Sequence, residues 1–311
     1  MKKLTIFTTV LLSLSFILSA CSGGGNPQTE KKTGKLNVYT TVYPLQYFTE
    51  RIGGKYVDAK TIYPPGADEH TFEPTQKDMM NLADADLFFY IGLGLEGFVE
   101  KSKATLKDQN VTLIPVTNSL KLPKEQGVQA KDKEEHSDIN PHVWLDPIYA
   151  KEMAAVIENE LIKKMPKNKD FFTKNYQALT KDLDELNQKF QTTIDSARTK
   201  KMIVSHDAFG YWKIRYGLDL ISISGLSTTN EPTQKQLEQI VTTARQDGLH
   251  YVLFEQNVNS KLGKIVEDEI GAKSLTLNNL GILTEENIKQ KETYFTLMNK
   301  NLETLKTALN D

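Results

Sequence analysis

The pentapeptide EPTQK at residues 73–77 recurs without change at residues 231–235. In both places a polar helical stretch follows, and after it comes a short apolar run, LFFYI from Leu87 in the first copy and YVLF from Tyr251 in the second. A five-residue identity followed by the same succession of elements predicts an internal duplication, with chance identity as the alternative. We therefore expect two lobes of similar fold.

Short apolar runs bounded by turn residues occur at corresponding places in both halves of the chain. Each half reads strand, helix, strand, helix, strand, with a fourth strand after these elements, and this pattern predicts a parallel sheet with right-handed crossovers. The predicted strands are residues 36–39, 59–63, 87–91 and 112–116 in the first half, and 202–204, 220–223, 251–254 and 274–277 in the second. The predicted fold class is α/β, with two lobes that each hold a parallel sheet flanked by helices.

Between the halves lies a segment without glycine or proline, residues 170–200. Its apolar residues recur at steps of three and four, the spacing of one helix face; they are Tyr176, Leu179, Leu183, Leu186, Phe190 and Ile194. About 28 residues at 1.5 Å each make a rod of roughly 40 Å, long enough to run along both lobes. We interpret it as one long rigid backbone helix that joins the lobes, while an ordinary amphipathic helix of one lobe is the alternative.

These elements predict an N-terminal lobe over residues 35–165, a linking helix over 166–200 and a C-terminal lobe over 201–311. Thr284 is predicted to cap a last helix, because threonine is a favoured N-cap residue. The apolar residues assigned to the buried face of that helix are Tyr294, Met298, Leu302, Leu305 and Leu309.

Residues 1–20 have the layout of a secretory signal peptide, with two lysines followed by an uncharged apolar run. The run is shorter than the roughly 20 residues that a membrane span takes, although an uncleaved anchor helix stays open. LSAC at residues 18–21 resembles the bacterial lipoprotein processing box, which implies cleavage before Cys21 and acylation of its thiol, for example with palmitate. The polar, Gly-rich stretch over residues 21–34 then predicts a flexible tether. We expect an extracytoplasmic protein that is anchored by lipid to the outer face of the cell membrane.

Composition excludes several classes of function. With 311 residues, 39% of them hydrophobic and 25% charged, the chain has an ordinary globular composition. Its single cysteine excludes an internal disulfide and any zinc site that needs two thiolates. The near-balance of 38 basic and 40 acidic residues gives no argument for a nucleic-acid surface. We therefore expect no nucleic-acid partner.

Three of the five histidines lie in segments that follow predicted strands. His70 follows the second strand of the first lobe, His142 follows the fourth strand and a long loop, and His206 follows the first strand of the second lobe. Because ligands of open parallel sheets bind beyond the carboxyl ends of the strands, these side chains are expected at the cleft between the lobes. Three neutral imidazoles suit Zn(II) and leave a fourth position open. The pattern predicts a zinc site, with ordinary hydrogen-bonding roles for the histidines as the alternative.

Acidic residues near these histidines are candidates for supporting roles. Glu69, next to His70, is the nearest candidate for the fourth zinc ligand, with water as the alternative. Three further carboxylates are candidates to accept hydrogen bonds from the imidazole N–H groups; they are Asp146, Asp207 and Glu255. The remaining two histidines are assigned to other roles, His136 to a charged solvated loop and His250 to a structural position before a strand.

At these residues the chain resembles the zinc-type solute-binding lipoproteins of bacterial metal-uptake ABC transporters, of the ZnuA/AdcA type (cluster A-I family). The resemblance covers nearly all of the mature chain; it rests on the lipoprotein box, PPGADEHTFEP at residues 64–74, NPHVWLDP at 140–147, SHDAFGY at 205–211 and the linking helix. It implies a TroA-like periplasmic binding protein fold. It also implies a monomer that is not an enzyme, that captures Zn(II) between the lobes and that delivers it to an ABC permease.

The same resemblance bears on the choice of metal, and this chain departs from the family pattern at two places. Relatives that look manganese-selective carry a carboxylate where this chain has His206, and imidazole suits zinc better than manganese, so a manganese- or iron-binding member is the closest alternative. Some zinc relatives have an acidic fourth ligand where this chain has Gly281, which leaves three histidines with Glu69 or water. Other relatives often have a His-rich loop at residues 126–138, where this chain has only His136.

Two other functions, a zinc-dependent hydrolase and a surface adhesin, fit the sequence less well than zinc capture. Three histidines with an open position also describe a zinc-dependent hydrolase, but the chain contains no His-Glu-x-x-His arrangement that would supply a general base. A surface adhesin with a structural metal is the other, and no adhesive repeat supports it.

Overall fold

The computed structural model describes residues 34–123, 139–256 and 260–311. The predicted signal peptide, Cys21, nearly all of the predicted tether and the charged insert with His136 lie outside these ranges. Residues Leu36–Asp311 form one unit that contains both predicted lobes. Within the described ranges, every helix is too short or too polar to cross a bilayer.

Parallel strands form two four-stranded sheets with the same strand order. The first sheet has the order β2-β1-β3-β4 and the second the order β6-β5-β7-β8. The strands are β1 (Leu36–Thr40), β2 (Val57–Thr61), β3 (Leu87–Tyr90), β4 (Thr112–Pro115), β5 (Lys201–His206), β6 (Asp219–Ser224), β7 (Tyr251–Phe254) and β8 (Lys273–Thr276). All the predicted strands are present, with each bound within two residues of the prediction. The predicted α/β class with two parallel sheets is confirmed.

Helices flank both sheets. In chain order they are α1 (Tyr43–Gly53), α2 (Gln76–Ala83), α3 (Gly97–Leu106), α4 (Pro147–Lys164), α5 (Lys169–Asp195), α6 (Gly210–Tyr216), α7 (Gln234–Gln246), α8 (Lys261–Ile270), α9 (Glu285–Lys289) and α10 (Tyr294–Asn310). The repeated pentapeptide ends in the first turn of α2 and of α7. Thr75 and Thr233 accept hydrogen bonds from the backbone N–H groups of Asp78 and Gln236, so both copies start a helix with the same capping box.

The linking helix α5 is present and spans 27 residues, which corresponds to about 40 Å. Its buried face carries Leu179, Leu183, Leu186, Phe190 and Ile194, as the periodicity predicts. The helix packs against α1 and α4 of the first lobe and against α10 near the C-terminus. Because it contacts elements from both halves of the chain, it restricts how the two sheets can move relative to each other.

The prediction of one last helix from Thr284 was wrong. Thr284 caps the short helix α9, and Thr293 caps a separate helix, α10. Between them Lys291 has a φ of 55°, a left-handed conformation that an α-helix does not continue through. The apolar residues predicted for the last helix are nevertheless buried along α10.

Helix α10 ties the end of the chain to the first lobe. The ring of Tyr294 lies 5.0 Å from that of Phe48 in α1, in an edge-to-face arrangement, and its hydroxyl donates to the carbonyl oxygen of Trp144 at 2.8 Å. Buried side chains of both lobes belong to one continuous apolar cluster, from Val38 to Leu309. This shared core holds the edges of the cleft at a defined spacing.

Candidate metal centre

Three histidines converge at the carboxyl ends of the strands, where the two lobes face each other. His70 lies in the loop between β2 and α2, His142 immediately precedes a 3₁₀ turn before α4, and His206 is the last residue of β5. One ring nitrogen from each lies within 4.8 Å of the other two. The ring centroids of His142 and His206 are 4.8 Å apart, and those of His70 and His206 are 5.3 Å apart. The predicted grouping of the three side chains is what the structure shows.

His142 is held by a side chain two residues earlier in the sequence. Asn140 Oδ1 accepts from the backbone N–H of His142 at 3.0 Å and lies 2.8 Å from its ring atom Nδ1. Asn140 Nδ2 in turn donates to the carbonyl oxygen of Asp207 at 2.8 Å, which joins the first lobe to the second. Because an amide oxygen can only accept, Nδ1 of His142 carries the proton and Nε2 keeps its lone pair. That lone pair points to the cluster, since Nε2 of His142 lies 3.2 Å from Nε2 of His70.

His206 is oriented by a buried carboxylate. Glu255, which follows β7, accepts a hydrogen bond from His206 Nδ1 through Oε1. Both side chains are 1% exposed. Nε2 of His206 is buried and has no hydrogen-bond partner within the ranges that the structure describes. A buried imidazole lone pair without a partner is costly, and a cation bound by the three nitrogens would satisfy it.

A second buried carboxylate lies beside this pair. Asn279 Nδ2 donates to Glu255 Oε2 at 2.5 Å and to Glu69 Oε1 at 2.9 Å. Asn279 Oδ1 accepts from the backbone N–H of Gly281 at 2.9 Å, which fixes the orientation of the amide. A Cβ atom on Gly281 would lie 2.6 Å from Glu69 Oε1. Glu69 therefore occupies the space that any side chain at residue 281 would need.

The surroundings of the histidines shift their pKa values in opposite directions. Burial, together with the charge on His206, lowers the pKa of His70 to about 4. Burial and the two neighbouring imidazoles lower the pKa of His142 well below its usual value. Burial acts in the same direction on His206, but the carboxylate of Glu255 outweighs it and raises the pKa of His206. At neutral pH, His70 and His142 are therefore neutral and able to bind a cation.

Burial and a neighbouring charge also shift the pKa of Glu69, the residue next to His70. Burial and the charge of Glu255 raise the pKa of Glu69 to about 7. A carboxyl group at this position is thus partly protonated near neutral pH, and a nearby cation would favour its charged form.

The donor types, and the separation of two of the three imidazoles, fit Zn(II). Two imidazoles on a tetrahedral zinc, each at about 2.0–2.1 Å from the metal, have their nitrogens about 3.3–3.4 Å apart. The separation of 3.2 Å between Nε2 of His70 and Nε2 of His142 agrees with this value. Neutral imidazoles suit zinc, whereas manganese prefers oxygen ligands.

A comparison with known families decides the identity. The model of the ZnuA family, described as the zinc-uptake complex component A, periplasmic, matches residues 38–308. This chain belongs to the ZnuA family. The resemblance seen in the sequence motifs is therefore confirmed, and the family is one of uptake components rather than enzymes.

Two relatives of this chain are zinc proteins by name. It is 32% identical over 311 residues to the zinc-binding lipoprotein AdcA of Streptococcus pneumoniae, a match that covers 98% of this chain and 61% of AdcA. It is 32% identical over 313 residues to the high-affinity zinc uptake system protein ZnuA of Bacillus subtilis, covering 94% of this chain and 96% of that protein. The chain thus spans about three-fifths of AdcA and nearly all of the Bacillus protein.

Solved structures show the same fold. The Zn(II)-bound ZnuA-like domain of S. pneumoniae AdcA superposes with a TM-score of 0.75 at 32% identity, covering 89% of this chain and all of that domain (100%). The laminin-binding protein Lmb of Streptococcus agalactiae, described as bifunctional with adhesin and metal-transporting activity, superposes with a TM-score of 0.77 at 30% identity, covering 88% of this chain and 100% of Lmb. The predicted TroA-like fold is confirmed.

Two of the predicted hydrogen-bond acceptors have other roles in this ZnuA-family chain. Asp146 caps helix α4, accepting from the backbone N–H of Ile148 at 2.8 Å, and it pairs with Arg215. The Asp207 carboxylate accepts from Ser222 Oγ at 3.0 Å, and the backbone carbonyl of Asp207 accepts from Asn140 Nδ2. Both are close in sequence to a histidine, but their side chains contact other partners. Glu255, by contrast, does contact His206.

Three residues that the sequence motifs did not indicate also support the site: Asn140, Asn279 and Asp68. Asn140 and Asp68 each lie two residues before a predicted ligand, and each accepts a hydrogen bond from the backbone N–H of that histidine. Asn and Asp often bond the backbone two residues ahead, so this spacing was a usable signal. Asn279 also bonds the backbone two residues ahead, at Gly281, but no predicted ligand lies there, and its carboxylate partners Glu69 and Glu255 lie 210 and 24 residues away.

Proposed function

We propose that this protein captures Zn(II) in the cleft between its two lobes, outside the cytoplasmic membrane, and delivers it to an ABC permease. The observation that carries the proposal is the convergence of His70, His142 and His206, with ring nitrogens within 4.8 Å of one another. The names of its relatives, the zinc-binding lipoprotein AdcA and the zinc uptake protein ZnuA, support the choice of metal and process.

Different residues would orient the histidine ligands, let the metal enter and complete its coordination. Asn140 holds His142 with its lone pair toward the cluster, and Glu255 does the same for His206 by accepting from Nδ1. Carboxylate and amide partners of this kind fix the tautomer and raise the basicity of the ligand. His70 is less buried than the other two, so its loop is the element that would move when metal enters or leaves. Water would complete the coordination sphere, or Glu69 after its carboxylate has turned from Asn279, because Glu69 does not belong to the group of ligand atoms that lie within 4.8 Å of one another.

The surroundings favour zinc over manganese. The ligand atoms that approach one another are imidazole nitrogens, and in the part of the chain that the structure describes no carboxylate oxygen belongs to this group. Manganese would need oxygen ligands in their place. The manganese- or iron-binding alternative is therefore the less favoured one.

The proposal includes a lipid anchor and a monomeric state. Acylation of Cys21 would anchor the mature chain to the outer face of the membrane, and a tether up to residue 34 would let a monomer reach its permease. Cells that express Cys21→Ala should release the protein into the soluble fraction, whereas retention in the membrane fraction would contradict the anchor.

A competition experiment tests the metal assignment. The chelator-stripped chain is dialysed against equal concentrations of Zn(II) and Mn(II), and the bound metal is measured by elemental analysis. We expect one zinc per chain and little manganese, and a preference for manganese would refute the proposal. His206→Ala should lose the zinc. His250→Ala is the matched control, because His250 precedes β7 and does not belong to the cluster.

A further inference from the structure

Asp68 positions one of the three histidines. Its Oδ1 atom accepts from the backbone N–H of His70 at 2.8 Å. Its carbonyl oxygen accepts from the backbone N–H of Phe72 at 3.1 Å, so the turn closes on both sides of the histidine. A displacement of Asp68 therefore moves His70 with it.

The other oxygen of the same carboxylate crosses the cleft. Asp68 Oδ2 accepts from Thr228 Oγ at 2.9 Å. Thr228 belongs to the loop between β6 and α7 in the second lobe, 160 residues away in the sequence. Hydrogen bonds to an ionised acceptor are stronger than those between neutral groups. The loop that carries His70 is thus bonded directly to the second lobe.

Thr228 also lies beside the histidine of its own lobe. It lines a cavity of about 250 Å³ together with His206 and a set of hydroxyl side chains, Ser205, Ser224 and Ser260. Thr228 therefore lies between the loop of His70 and the cavity that reaches His206. The hydrogen bond to Asp68 ties together the two sides of the metal centre that come from different lobes.

We propose that the Asp68–Thr228 hydrogen bond holds the cleft closed over the metal and slows metal release. The inference rests on the proposed function. Release requires His70 to move away from His206, and their ring centroids are 5.3 Å apart. Because Asp68 fixes the backbone of His70, a movement of the whole His70 loop away from the second lobe breaks the bond to Thr228. Asp68 and Thr228 are positioning residues, since neither offers a ligand atom to the cluster.

Zinc release from the full chain tests this inference. Each protein is loaded with one equivalent of Zn(II) and mixed with excess chelator in a stopped-flow instrument. Thr228→Val keeps the shape of the side chain and removes its hydroxyl donor, and Thr228→Ala removes the donor without adding a methyl group where the hydroxyl was. Loss of one partly buried hydrogen bond to a carboxylate should speed release about tenfold or more in both variants.

Two control variants separate this effect from loop damage. Thr228→Ser keeps the hydroxyl and should release zinc at the wild-type rate. Thr229→Val changes the next residue in the same loop, whose hydroxyl contacts Ser227 rather than the first lobe, and it should also be unchanged. A purely structural role would lower the thermal stability of the metal-free Thr228 variants without selective acceleration of release.

The results distinguish this inference from the proposed function. Wild-type release rates in both Thr228→Val and Thr228→Ala overturn the role of the hydrogen bond, while zinc binding by the wild-type chain leaves the proposed function standing. A wild-type chain that takes up no zinc overturns both. Equal acceleration in Thr229→Val also overturns the inference, because the bond to Asp68 is intact in that variant.

Discussion

Replacement of Glu255 by glutamine is expected to weaken zinc binding although the residue does not belong to the cluster of ligand atoms. Glu255 accepts from His206 Nδ1 and, at 2.5 Å, from Asn279 Nδ2. The Asn279 amide cannot turn over, because its Oδ1 accepts from the backbone N–H of Gly281. A glutamine at 255 must therefore direct its own NH₂ group either at Asn279 Nδ2 or at His206 Nδ1.

Both arrangements weaken the site. An NH₂ group facing Asn279 places two donors against each other, whereas one facing His206 favours the tautomer with its proton on Nε2, the nitrogen that would bind zinc. In addition, a bond to a charged acceptor becomes a bond to a neutral one, a loss of about 1–1.5 kcal/mol. That loss alone corresponds to about tenfold in affinity, and groups that orient metal ligands contribute 10–100-fold. We expect Glu255→Gln to bind zinc about 10- to 100-fold more weakly.

Competition with a chelating dye at pH 7 measures the change. Glu267→Gln is the matched control, since Glu267 is also buried in the second lobe but bonds Ser274 Oγ at 2.6 Å and Lys264 rather than a histidine. It should bind zinc within about twofold of wild type. NMR titration of His206 gives a second readout, because Glu255 raises the pKa of that ring and the substitution should lower it. Wild-type affinity in Glu255→Gln would refute this account of the His206–Glu255 pair.

Three other predictions concern the same region. Gly281→Ala should destabilise the chain by about 1–3 kcal/mol, because its Cβ would lie 2.6 Å from Glu69 Oε1; Gly97→Ala, whose Cβ meets nothing within 4 Å, is the control in thermal melts, and equal stability of the two variants would contradict the close contact. From pH 7 to 5, log affinity for zinc should fall with a slope of one to two rather than three. A lowered pKa keeps a histidine neutral, so among the three histidines only His206, whose pKa is raised, takes up a competing proton there, and His70, with a pKa of about 4, does not. The carboxyl group of Glu69, with a pKa of about 7, adds a second competing proton if it is the fourth ligand; a slope near three in a competition titration would contradict the lowered value for His70. Zinc at 1,000 times its Kd should stabilise the fold by about 4 kcal/mol, measured by calorimetry, and an unchanged melting temperature would show that zinc does not bind the folded chain selectively.

Much of the fold was predictable because its signals are local. The strands are short apolar runs between turn residues, the linking helix shows a regular three-four spacing, and both copies of EPTQK start a helix with the same capping box. The error at the C-terminus has the same origin. Thr284 is a correct cap for a helix that ends five residues later at Lys289, and the left-handed conformation of Lys291, which separates α9 from α10, left no pattern that periodicity could detect.

The metal centre was only partly predictable. His70 and His206 were predictable because each lies soon after a strand or at its end, and His142 because it lies in the segment after the fourth strand; strand ends of a parallel sheet meet at one edge. Asp146 is close in sequence to His142, but its side chain is used to cap a helix and to pair with Arg215. Proximity along the chain selects the candidates, whereas the direction of a side chain depends on which donors surround it after folding.

The amino-acid sequence by itself determined two parallel sheets, the helix between them and the three histidines at their edges, because these follow from hydrophobic periodicity and strand order. The tertiary structure alone decided which polar groups hold those histidines. Asn279 joins Glu69 and Glu255 although 210 and 24 residues separate it from them, and Thr228 reaches Asp68 across the cleft. Such contacts depend on how the lobes pack through their shared core, and packing between distant segments leaves no spacing in the sequence from which a partner can be read.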